Sequence, residues 1–355
     1  MTATPIQCNI HNVMNNQPLR RHTLPRLDIK TGFNHSPHVV ILGAGASRAC
    51  CPLGDRNGRK LPLMNDFVEG VGITDIIHRS GHNPVENFEK VYSEIHQTGN
   101  TAILDELDKA IRDYFSRLLL PDIPTLYDCL LLSLRPKDMI VTFNWDPMLP
   151  QTYKRWRHLG AVLPEIIFLH GNIDIGIDGK KKVCGFMSDD HRLTPTRLLY
   201  PVEQKNYASD VFIASQWTRA KDYLAGAYQV TVYGYSAPTT DIEAKALLLE
   251  AWLNNSSRDL AAIYIVDIRP PSEVMASWSD FIVRDHGAAS TDFSHNLLMR
   301  HPRRSCESFA FATLQNDPWK EDPMPTFRSL AELDAWIKPL IEEEASGKLA
   351  GIPLH

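Results

Sequence analysis

The sequence lacks the features that mark zinc-binding, secreted or membrane-spanning proteins. Its six cysteines form no Cys-x-x-Cys pair, so neither a zinc ribbon nor a disulfide framework is indicated. No apolar run is long enough to cross a bilayer, and the polar residues 1–36 have no apolar core like that of a signal peptide. We therefore expect no metal, no membrane association and a cytoplasmic location, where thiols stay reduced.

The sequence also has no excess of positive charge. It has 42 acidic and 37 basic residues, a net charge of −5 and no basic stripe, so we expect no direct binding to nucleic acid. Its 355 residues, 43% of them hydrophobic, suit one large domain or a domain with an insertion. We find no Walker motif, internal repeat or low-complexity tract.

Short apolar runs that end in glycine or polar residues predict buried parallel strands. An amphipathic helix is predicted over 240–253, between the last two of these runs, and another follows the second run over 146–157. This alternation predicts an α/β fold, with an open Rossmann-like parallel sheet that carries helices on both faces. The predicted strands are 39–42, 138–143, 166–169, 230–233 and 263–266.

The same pattern divides the chain into three parts. Residues 1–36 are predicted to form an N-terminal arm, and 37–300 a nucleotide-binding domain. Within this domain we predict a helical insertion over about 84–134, Asn65 as the N-cap of an earlier helix, and a lid or insert over about 174–215 that opens with a hairpin or a solvent-facing turn. Residues 301–355 are predicted to be a helical extension with a helix over 327–345.

A glycine-containing turn follows the first predicted strand and reads Gly43-Ala44-Gly45-Ala46-Ser47. Glycines at such a turn let backbone N–H groups approach a diphosphate at a helix N-terminus. The usual dinucleotide fingerprint has a third glycine where this chain has Arg48, so a hydride-transfer enzyme is the least expected function. The alternative is that the glycines serve only the backbone angles of the turn.

Small or polar residues also follow the other predicted strands, where the ligands of open parallel sheets bind. A histidine there titrates near neutral pH and is a candidate general base, and an aspartate can accept hydrogen bonds from a ribose. A structural alternative stays open, in which the asparagine and first aspartate serve the next helix and the histidine is structural. These residues are Asn144, Asp146, His170, Gly234, Ser236 and Asp267.

In this order, the motifs resemble the NAD-binding core of the sirtuins, the silent-information-regulator family, over about residues 38–270. The turn at 43–47 is similar to the family's Gly-Ala-Gly-x-Ser, and Leu169-His170-Gly171 matches its Leu-His-Gly without change. Phe143-Asn144-Trp145-Asp146 is similar to its Gln-Asn-Ile-Asp, and Gly234-Tyr235-Ser236 to its Gly-Thr-Ser. Residues 266–269 resemble its adenosine-side segment.

The resemblance implies site residues and a substrate. It implies that NAD is the substrate and that Asn144, Asp146 and His170 are catalytic. The residues that it implies for NAD binding are Gly43, Ala44, Gly45, Ala46, Ser47, Asp66, Gly234, Ser236 and Asp267.

Two differences from the deacylating sirtuins narrow the expected activity. Their two zinc-binding Cys-x-x-Cys pairs are absent, because Cys184 is the one cysteine between His170 and Gly234. Their Pro-Asp-Phe-Arg segment corresponds to residues 61–68, which contain no arginine. In both respects the chain resembles prokaryotic sirtuin-like effectors that destroy NAD during antiphage defence by abortive infection.

The expected activity is therefore that of an NAD+ glycohydrolase, which cleaves the nicotinamide–ribose bond to give nicotinamide and ADP-ribose. The alternatives are an NAD-dependent protein deacylase, an ADP-ribosyltransferase, and a non-catalytic sensor of NAD or ADP-ribose. Because uncontrolled NAD hydrolysis would harm the host, we expect control by the lid, by a homo-oligomer or by a separate partner. The resemblance implies that such a partner is a DNA-translocase-type ATPase or an Argonaute-type protein. The arm and the helix over 327–345 are the candidate subunit contacts.

Overall fold

A computed structural model of the protein describes most of the chain from residue 36 onward. The described residues are 36–181, 183–200, 207, 209–236, 241–314, 320–346, 348–349 and 352–353. The predicted N-terminal arm and part of the predicted lid therefore lie outside the described residues.

The described strands and helices are numbered here in chain order. The strands are β1 His38–Leu42, β2 Met139–Thr142, β3 Glu165–Phe168, β4 Ile175–Asp178, β5 Val183–Phe186, β6 Thr194–Pro195, β7 Gln229–Tyr233, β8 Ala262–Val266, β9 Gly287–Ser290, β10 Lys348–Leu349 and β11 Ile352–Pro353. The helices are α1 Ala44–Cys50, α2 Phe67–Val71, α3 Thr74–Arg79, α4 Phe88–Thr98, α5 Thr101–Ser116, α6 Leu126–Ser133, α7 Met148–Trp156, α8 Val211–Leu224, α9 Ile242–Leu253, α10 Pro271–Ser277, α11 Leu297–Arg300, α12 Ser305–Leu314 and α13 Leu330–Ala345.

Six of the strands form one parallel sheet in the order β3-β2-β1-β7-β8-β9. The chain adds β2 and β3 on one side of β1, and β7, β8 and β9 on the other side. The strand order therefore reverses between β1 and β7, which pair in parallel with Val40 opposite Thr231. Right-handed crossovers on either side of such a reversal place the connecting helices on opposite faces. The predicted α/β fold with an open parallel sheet is confirmed.

The core strands form where apolar residues run together without interruption. Val39, Val40, Ile41 and Leu42 of β1 are all 0% exposed, because the strand lies in the middle of the sheet and is covered on both faces. Each of the five predicted strands agrees with an observed one to within one residue at either end. None of the helices in the described ranges has the length and apolarity that a membrane crossing requires.

The helical insertion consists of α4, α5 and α6, and residues 117–125 separate the last two of these helices. The prediction for Asn65 is wrong, because Asp66 holds the N-cap position of α2 and no side chain caps that helix. The carboxylate of Asp66 instead accepts hydrogen bonds from Leu63 N and from the guanidinium of Arg48.

The stretch predicted as a lid is more regular than expected. The hairpin is confirmed, since β4 and β5 pair antiparallel with Ile177 opposite Cys184. Helix α8, however, begins at Val211 within the predicted insert, and the Asp210 side chain caps it by accepting from Ile213 N. Cys184 is disulfide-bonded, which the cysteine spacing did not indicate.

Buried ion pairs attach the C-terminal extension to the core. The guanidinium of Arg135 lies 2.5 Å from Glu307 in α12, and both side chains are under 10% exposed. Arg303, which pairs with Glu344 of α13 at 2.7 Å, also donates to the carbonyl oxygens of Leu132 and Leu134 in the core. Leu333 and Ile337 of α13 are fully buried. This face of α13 therefore packs on the protein's own core, and its predicted role in subunit contacts stays a prediction for its other faces.

The protonation of His38, the first residue of β1, is expected to make stability depend on pH. Its Nδ1 lies 2.7 Å from Ser305 Oγ and its Nε2 2.8 Å from Thr231 Oγ1. Burial lowers the pKa of His38 to about 3, against the attraction of Asp138. Below its ordinary pKa near 6.5 the unfolded chain binds a proton that the folded chain excludes, so stability is lost as the pH falls from about 6.5 towards 3.

Urea unfolding at pH 7 and pH 4.5 tests this expectation. The His38 contribution to the unfolding free energy should fall by about 2–3 kcal/mol between these pH values. The His38→Gln variant, which keeps polar atoms near both hydroxyls, should show a pH dependence that is smaller by this amount. The lowered pKa of His301, about 4, is common to both proteins and cancels in the comparison. Equal pH dependence in the two proteins would contradict the assignment.

Candidate functional site

The turns after β1 and β7 interlock where the strand order reverses. Gly234 has a φ of +60°, and a Cβ atom built on it would lie 2.2 Å from the backbone nitrogen of Ala46. A Cβ atom on Gly43 would lie 2.4 Å from the carbonyl oxygen of Gly234, and one on Gly45 2.9 Å from its Cα. These three glycines are therefore needed because two backbones touch, a reason that the sequence does not reveal.

Most amide groups of the glycine turn already have partners within the protein. Gly43 N donates to the carbonyl oxygen of Tyr233, and Gly45 N to that of Gly234, both at 3.0 Å. Ala46 N donates to Gly43 O at 3.0 Å. A diphosphate at this turn would therefore depend on Ala44 N, and the NAD-binding role of residues 43–47 stays a prediction.

Asn144 joins the end of β2 to the glycine turn. Its Nδ2 lies 2.8 Å from Gly43 O, 2.9 Å from Ser47 Oγ and 3.3 Å from the hydroxyl of Tyr127. The carbonyl of Gly43 can only accept, so it fixes which end of the amide points to the turn. The opposite end, Oδ1, accepts no hydrogen bond from the described residues. Asn144 is thus oriented by the core and does not cap α7.

Ser47 and Tyr127 complete a buried polar group behind Asn144. Their hydroxyl oxygens are 2.7 Å apart, and the side chains are 2% and 0% exposed. Burial raises the pKa of Tyr127 well above its ordinary value, and the charge of Asp146 adds to that effect. Both hydroxyls are therefore neutral and orient the Asn144 amide. Tyr127 belongs to α6 of the helical insertion, and nothing in the sequence linked it to the site.

Asp146 lies at the start of α7 and is 5% exposed. Its Oδ1 accepts from Met148 N at 3.0 Å, at the first residue of α7, and its place before this helix agrees with the structural alternative in which Asp146 favours the helix dipole. Burial raises the pKa of this carboxyl, while hydrogen bonds from Ser47 and Met148 N oppose the shift. The carboxyl therefore keeps a proton to a higher pH than an exposed aspartate. Its catalytic role stays a prediction.

His170 follows β3 and is 5% exposed. Its ring meets the ring of Phe143 edge-on, with centroids 4.8 Å apart, and its Nε2 lies 3.5 Å from the Tyr207 hydroxyl. Phe143 in turn stacks on Tyr235 at 4.2 Å, next to Gly234. Because Phe143 precedes Asn144 in the chain, the asparagine, the histidine and the two interlocked turns lie at one edge of the sheet.

Two local features hold the loop that carries His170. Gly171 has a φ of +75°, and a Cβ atom on it would lie 2.0 Å from the carbonyl oxygen of Arg197. Asn172 Nδ2 donates to the carbonyls of Asn144 and Asp146 at 3.2 and 2.7 Å. Asn172 therefore joins the loops after β2 and β3. We assigned it no role from sequence, although its place directly after His170-Gly171 was the available signal.

Three of the residues that were predicted to bind NAD have other surroundings, and these are Asp66, Ser236 and Asp267. Asp66 pairs with Arg48 at 2.5 Å, and Ser236 is exposed. Asp267 makes two contacts with the guanidinium of Arg269, at 2.8 and 3.1 Å. Partial burial of Asp267 acts to raise its pKa, but the hydrogen bonds from Arg269 outweigh it and the pKa is lowered. The predicted NAD-binding roles of these three residues stay predictions.

A cavity of about 270 Å³ lies at the other edge of the sheet. It is lined by the first residues of three strands, His38, Gln229 and Ala262, among others. It is therefore separate from the Asn144–His170 group, which follows the last residues of the strands. Among the described residues, no three His, Cys, Asp or Glu side chains lie together as a metal site would require.

Comparisons with known proteins give no family by sequence. No family model matches the chain, and no curated protein matches it. The solved structure "Sir2 bound to acetylated peptide" is 13% identical, with 80% of this chain and 95% of that chain covered and a TM-score of 0.33. "Sir2-p53 peptide-NAD+" is 14% identical, with 68% and 85% covered and a TM-score of 0.33.

A third solved structure, "The Structural basis of Sirtuin Substrate Affinity", is 16% identical, with 67% and 85% covered and a TM-score of 0.37. TM-scores of this size do not establish a shared fold. The α/β assignment therefore rests on the parallel sheet and its strand order.

Proposed function

We propose that the protein is an NAD+ glycohydrolase that cleaves the nicotinamide–ribose bond. The observation that carries the proposal is the position of Asn144, which the core orients at the strand reversal beside His170. Dinucleotides bind doubly wound sheets at this reversal, outside the carboxyl ends of the strands. The sequence motifs at the same strand ends resemble the NAD-binding core of the sirtuins.

The proposed reaction converts NAD+ and water into nicotinamide, ADP-ribose and a proton. The bond between ribose C1′ and the pyridinium nitrogen breaks, and its electron pair leaves with neutral nicotinamide. Positive charge then develops on the ribose, as in glycoside hydrolysis, and water adds at C1′. The protein has to position that water, accept its proton and stabilise the developing charge.

The geometry supports a division of these tasks. Because Asn144 Nδ2 lies within hydrogen-bond distance of three oxygen atoms of the protein, its Oδ1 is the atom that remains to orient water or a ribose hydroxyl. His170 would accept the proton. Asp146 would face the ribose or the carboxamide while its Oδ1 accepts from Met148 N.

The dinucleotide would lie along the same edge of the sheet. Its diphosphate would lie at Ala44 N, at the start of α1, and its adenosine side towards Asp267 beyond β8. Asp267 could accept from a ribose hydroxyl while it stays paired with Arg269.

As a biological role we propose NAD depletion in prokaryotic antiphage defence, controlled by homo-oligomerisation or by a separate partner. The support is the motif resemblance together with the absence from the sequence of the two zinc-binding cysteine pairs. A free NAD hydrolase would harm its own cell, so the proposal requires a control step.

Replacing Asn144 with alanine tests the central residue. We expect nicotinamide release to fall about a hundredfold or more, as when a preorganised polar group is removed from an active site. The unfolding free energy should also fall by about 1–3 kcal/mol, because Gly43 O and Ser47 lose their donor. Turnover by high-performance liquid chromatography and urea unfolding measure the two effects.

Asn255→Ala is the matched control. Asn255 is equally buried, and its Nδ2 donates to the carbonyls of Leu224 and Ala227, away from the strand ends that carry Asn144 and His170. This variant should lose a similar amount of stability and keep its turnover. Equal turnover in the Asn144 and Asn255 variants would remove the catalytic role of Asn144.

Product analysis separates the hydrolase from the alternative functions. A hydrolase forms nicotinamide and ADP-ribose in equal amounts without an acceptor. A deacylase or an ADP-ribosyltransferase requires an acylated peptide or another acceptor, and a sensor retains NAD without releasing nicotinamide. Nicotinamide that appears only when an acceptor is added would reject the proposal.

A further inference from the structure

Buried tryptophans around the Asn144–His170 group have indole N–H groups without a hydrogen-bond partner. The indole nitrogens of Trp145, Trp217 and Trp278 are inaccessible to solvent, and none of them has a partner in the part of the chain that the structure describes. A buried indole N–H normally has one, because leaving it unpaired costs free energy. Each of these groups therefore calls for an explanation, and a bound ligand with an acceptor atom supplies one.

Trp217, from α8, lies near His170, because the same two aromatic rings contact both residues. Its ring centroid lies 4.7 Å from that of Tyr207 and 6.2 Å from that of Phe143. The same two rings flank His170, at 6.0 and 4.8 Å. We call Phe143, His170, Tyr207 and Trp217 the aromatic box.

The other two tryptophans have different surroundings. Trp145 packs against Phe67 of α2 and Phe115 of the helical insertion. Trp278 lies beyond the box, where its ring contacts Tyr235 and Phe281. Trp278 therefore offers a matched control, since it is a buried indole with an unpaired N–H and no contact with His170.

We propose that the aromatic box receives the nicotinamide end of NAD and that Trp217 Nε1 donates a hydrogen bond to the carboxamide oxygen. This inference rests on the proposed function. A flat pyridinium ring suits aromatic walls, which attract its positive charge through their π faces. The carboxamide oxygen supplies the acceptor that the indole lacks.

Entry of the base needs a contact that can open. The Tyr207 hydroxyl lies 3.5 Å from His170 Nε2, which is long for a hydrogen bond, so little hydrogen-bond energy opposes its displacement. The ring of Tyr207 is buried against that of Trp217, and the base has to replace this contact. Cleavage then removes the positive charge of the base and with it the cation–π attraction. The hydrogen bond from Trp217 remains and sets the specificity for a base with an acceptor on its ring substituent.

The test is titration calorimetry of nicotinamide and thionicotinamide on the full chain. Sulfur is a weaker acceptor than oxygen, so the wild type should bind nicotinamide more tightly. Trp217→Phe keeps an aromatic ring and removes the donor. We expect it to weaken nicotinamide binding about tenfold and to abolish the preference for oxygen over sulfur. Trp278→Phe should leave both affinities unchanged.

A ligand-side measurement keeps the proposal testable if Trp217→Phe folds poorly. On the wild type, 3-acetylpyridine keeps the carbonyl and should bind about as well as nicotinamide, whereas pyridine should bind about tenfold more weakly. Equal affinities for pyridine and nicotinamide would overturn the proposal. So would an unchanged oxygen preference in a folded Trp217→Phe variant, or no nicotinamide binding by the wild type.

Failure of this inference is distinguishable from failure of the proposed function. Turnover of NAD with an unchanged oxygen preference in Trp217→Phe would reject the role of Trp217 and leave hydrolysis in place. Binding of nicotinamide that depends on Trp217, without any cleavage of NAD, would support the subsite and reject hydrolysis.

Discussion

Replacing His170 with alanine is expected to lower nicotinamide release by about a hundredfold to ten-thousandfold, the range for removal of a positioned general base. The ring of His170 contacts that of Phe143, and the close approach of Gly171 to the carbonyl oxygen of Arg197 holds the backbone beside it, so the position of His170 is defined before substrate binds. Rates should be measured at a temperature where near-ultraviolet circular dichroism shows that the variant is folded, because the change also leaves a cavity.

Tyr207→Phe is the control for the His170 variant. It removes the hydroxyl at 3.5 Å from His170 Nε2 and keeps the ring, so the rate should change by no more than about threefold, given that the contact is too long for a strong hydrogen bond. A His170→Ala variant that is folded and turns over NAD at the wild-type rate would remove the histidine from the mechanism.

Replacing Gly234 with alanine should have the largest effect on the fold. The new Cβ would lie 2.2 Å from Ala46 N and 2.5 Å from the carbonyl carbon of Gly45, and both are backbone atoms that cannot turn aside. The φ of +60° adds strain for any residue with a Cβ. We expect a loss of about 3–5 kcal/mol of unfolding free energy and loss of turnover, measured by urea unfolding and nicotinamide release.

Gly99→Ala separates the effect of atomic overlap at the new Cβ from the effect of a positive φ. Gly99 ends α4 with a φ of +69°, and a Cβ atom on it would meet nothing within 4 Å. This variant should lose about 1 kcal/mol and keep its turnover. Similar losses in the Gly234 and Gly99 variants would show that the contact between the two turns is not as close as described here.

The sheet could be predicted from sequence because its strands are continuous apolar runs. Residues such as Val39 to Leu42 bury both faces of a strand, and this pattern differs from that of the amphipathic helices. Strand β9, with the sequence Gly-Ala-Ala-Ser, was missed because such small residues carry little of that signal. Helix α8 was missed although its buried residues recur at helical spacing, with Gln216 as the one polar residue among them.

The candidate site was predictable to the extent that it follows from parallel strands. The ends of β1, β2, β3 and β7 must meet at one edge, so residues that follow them, such as Asn144 and His170, come close together. Side-chain partners cannot be predicted in this way. The pairings of Asp66 with Arg48 and of Asp267 with Arg269 depend on rotamers and long-range packing. The same is true of Tyr127, which reaches the site from a separate helix.

The positions of the glycines could be predicted from the sequence, but the reason that glycine is required could not. Sequence placed Gly43, Gly45 and Gly234 at turns after strands, as the structure has them. The reason for glycine differs in part from the predicted one, since Gly45 N bonds to Gly234 O instead of facing an open anion site. A close approach between two backbones depends on distances that no single turn encodes.

The central claim is that the Asn144–His170 group cleaves NAD with water. The most direct test is incubation of the purified chain with NAD, over concentrations that allow self-assembly and with no acceptor added. We expect nicotinamide and ADP-ribose in equal amounts. Intact NAD at every protein concentration would contradict hydrolysis by the chain alone or as a homo-oligomer, and nicotinamide without an equal amount of ADP-ribose would contradict hydrolysis altogether.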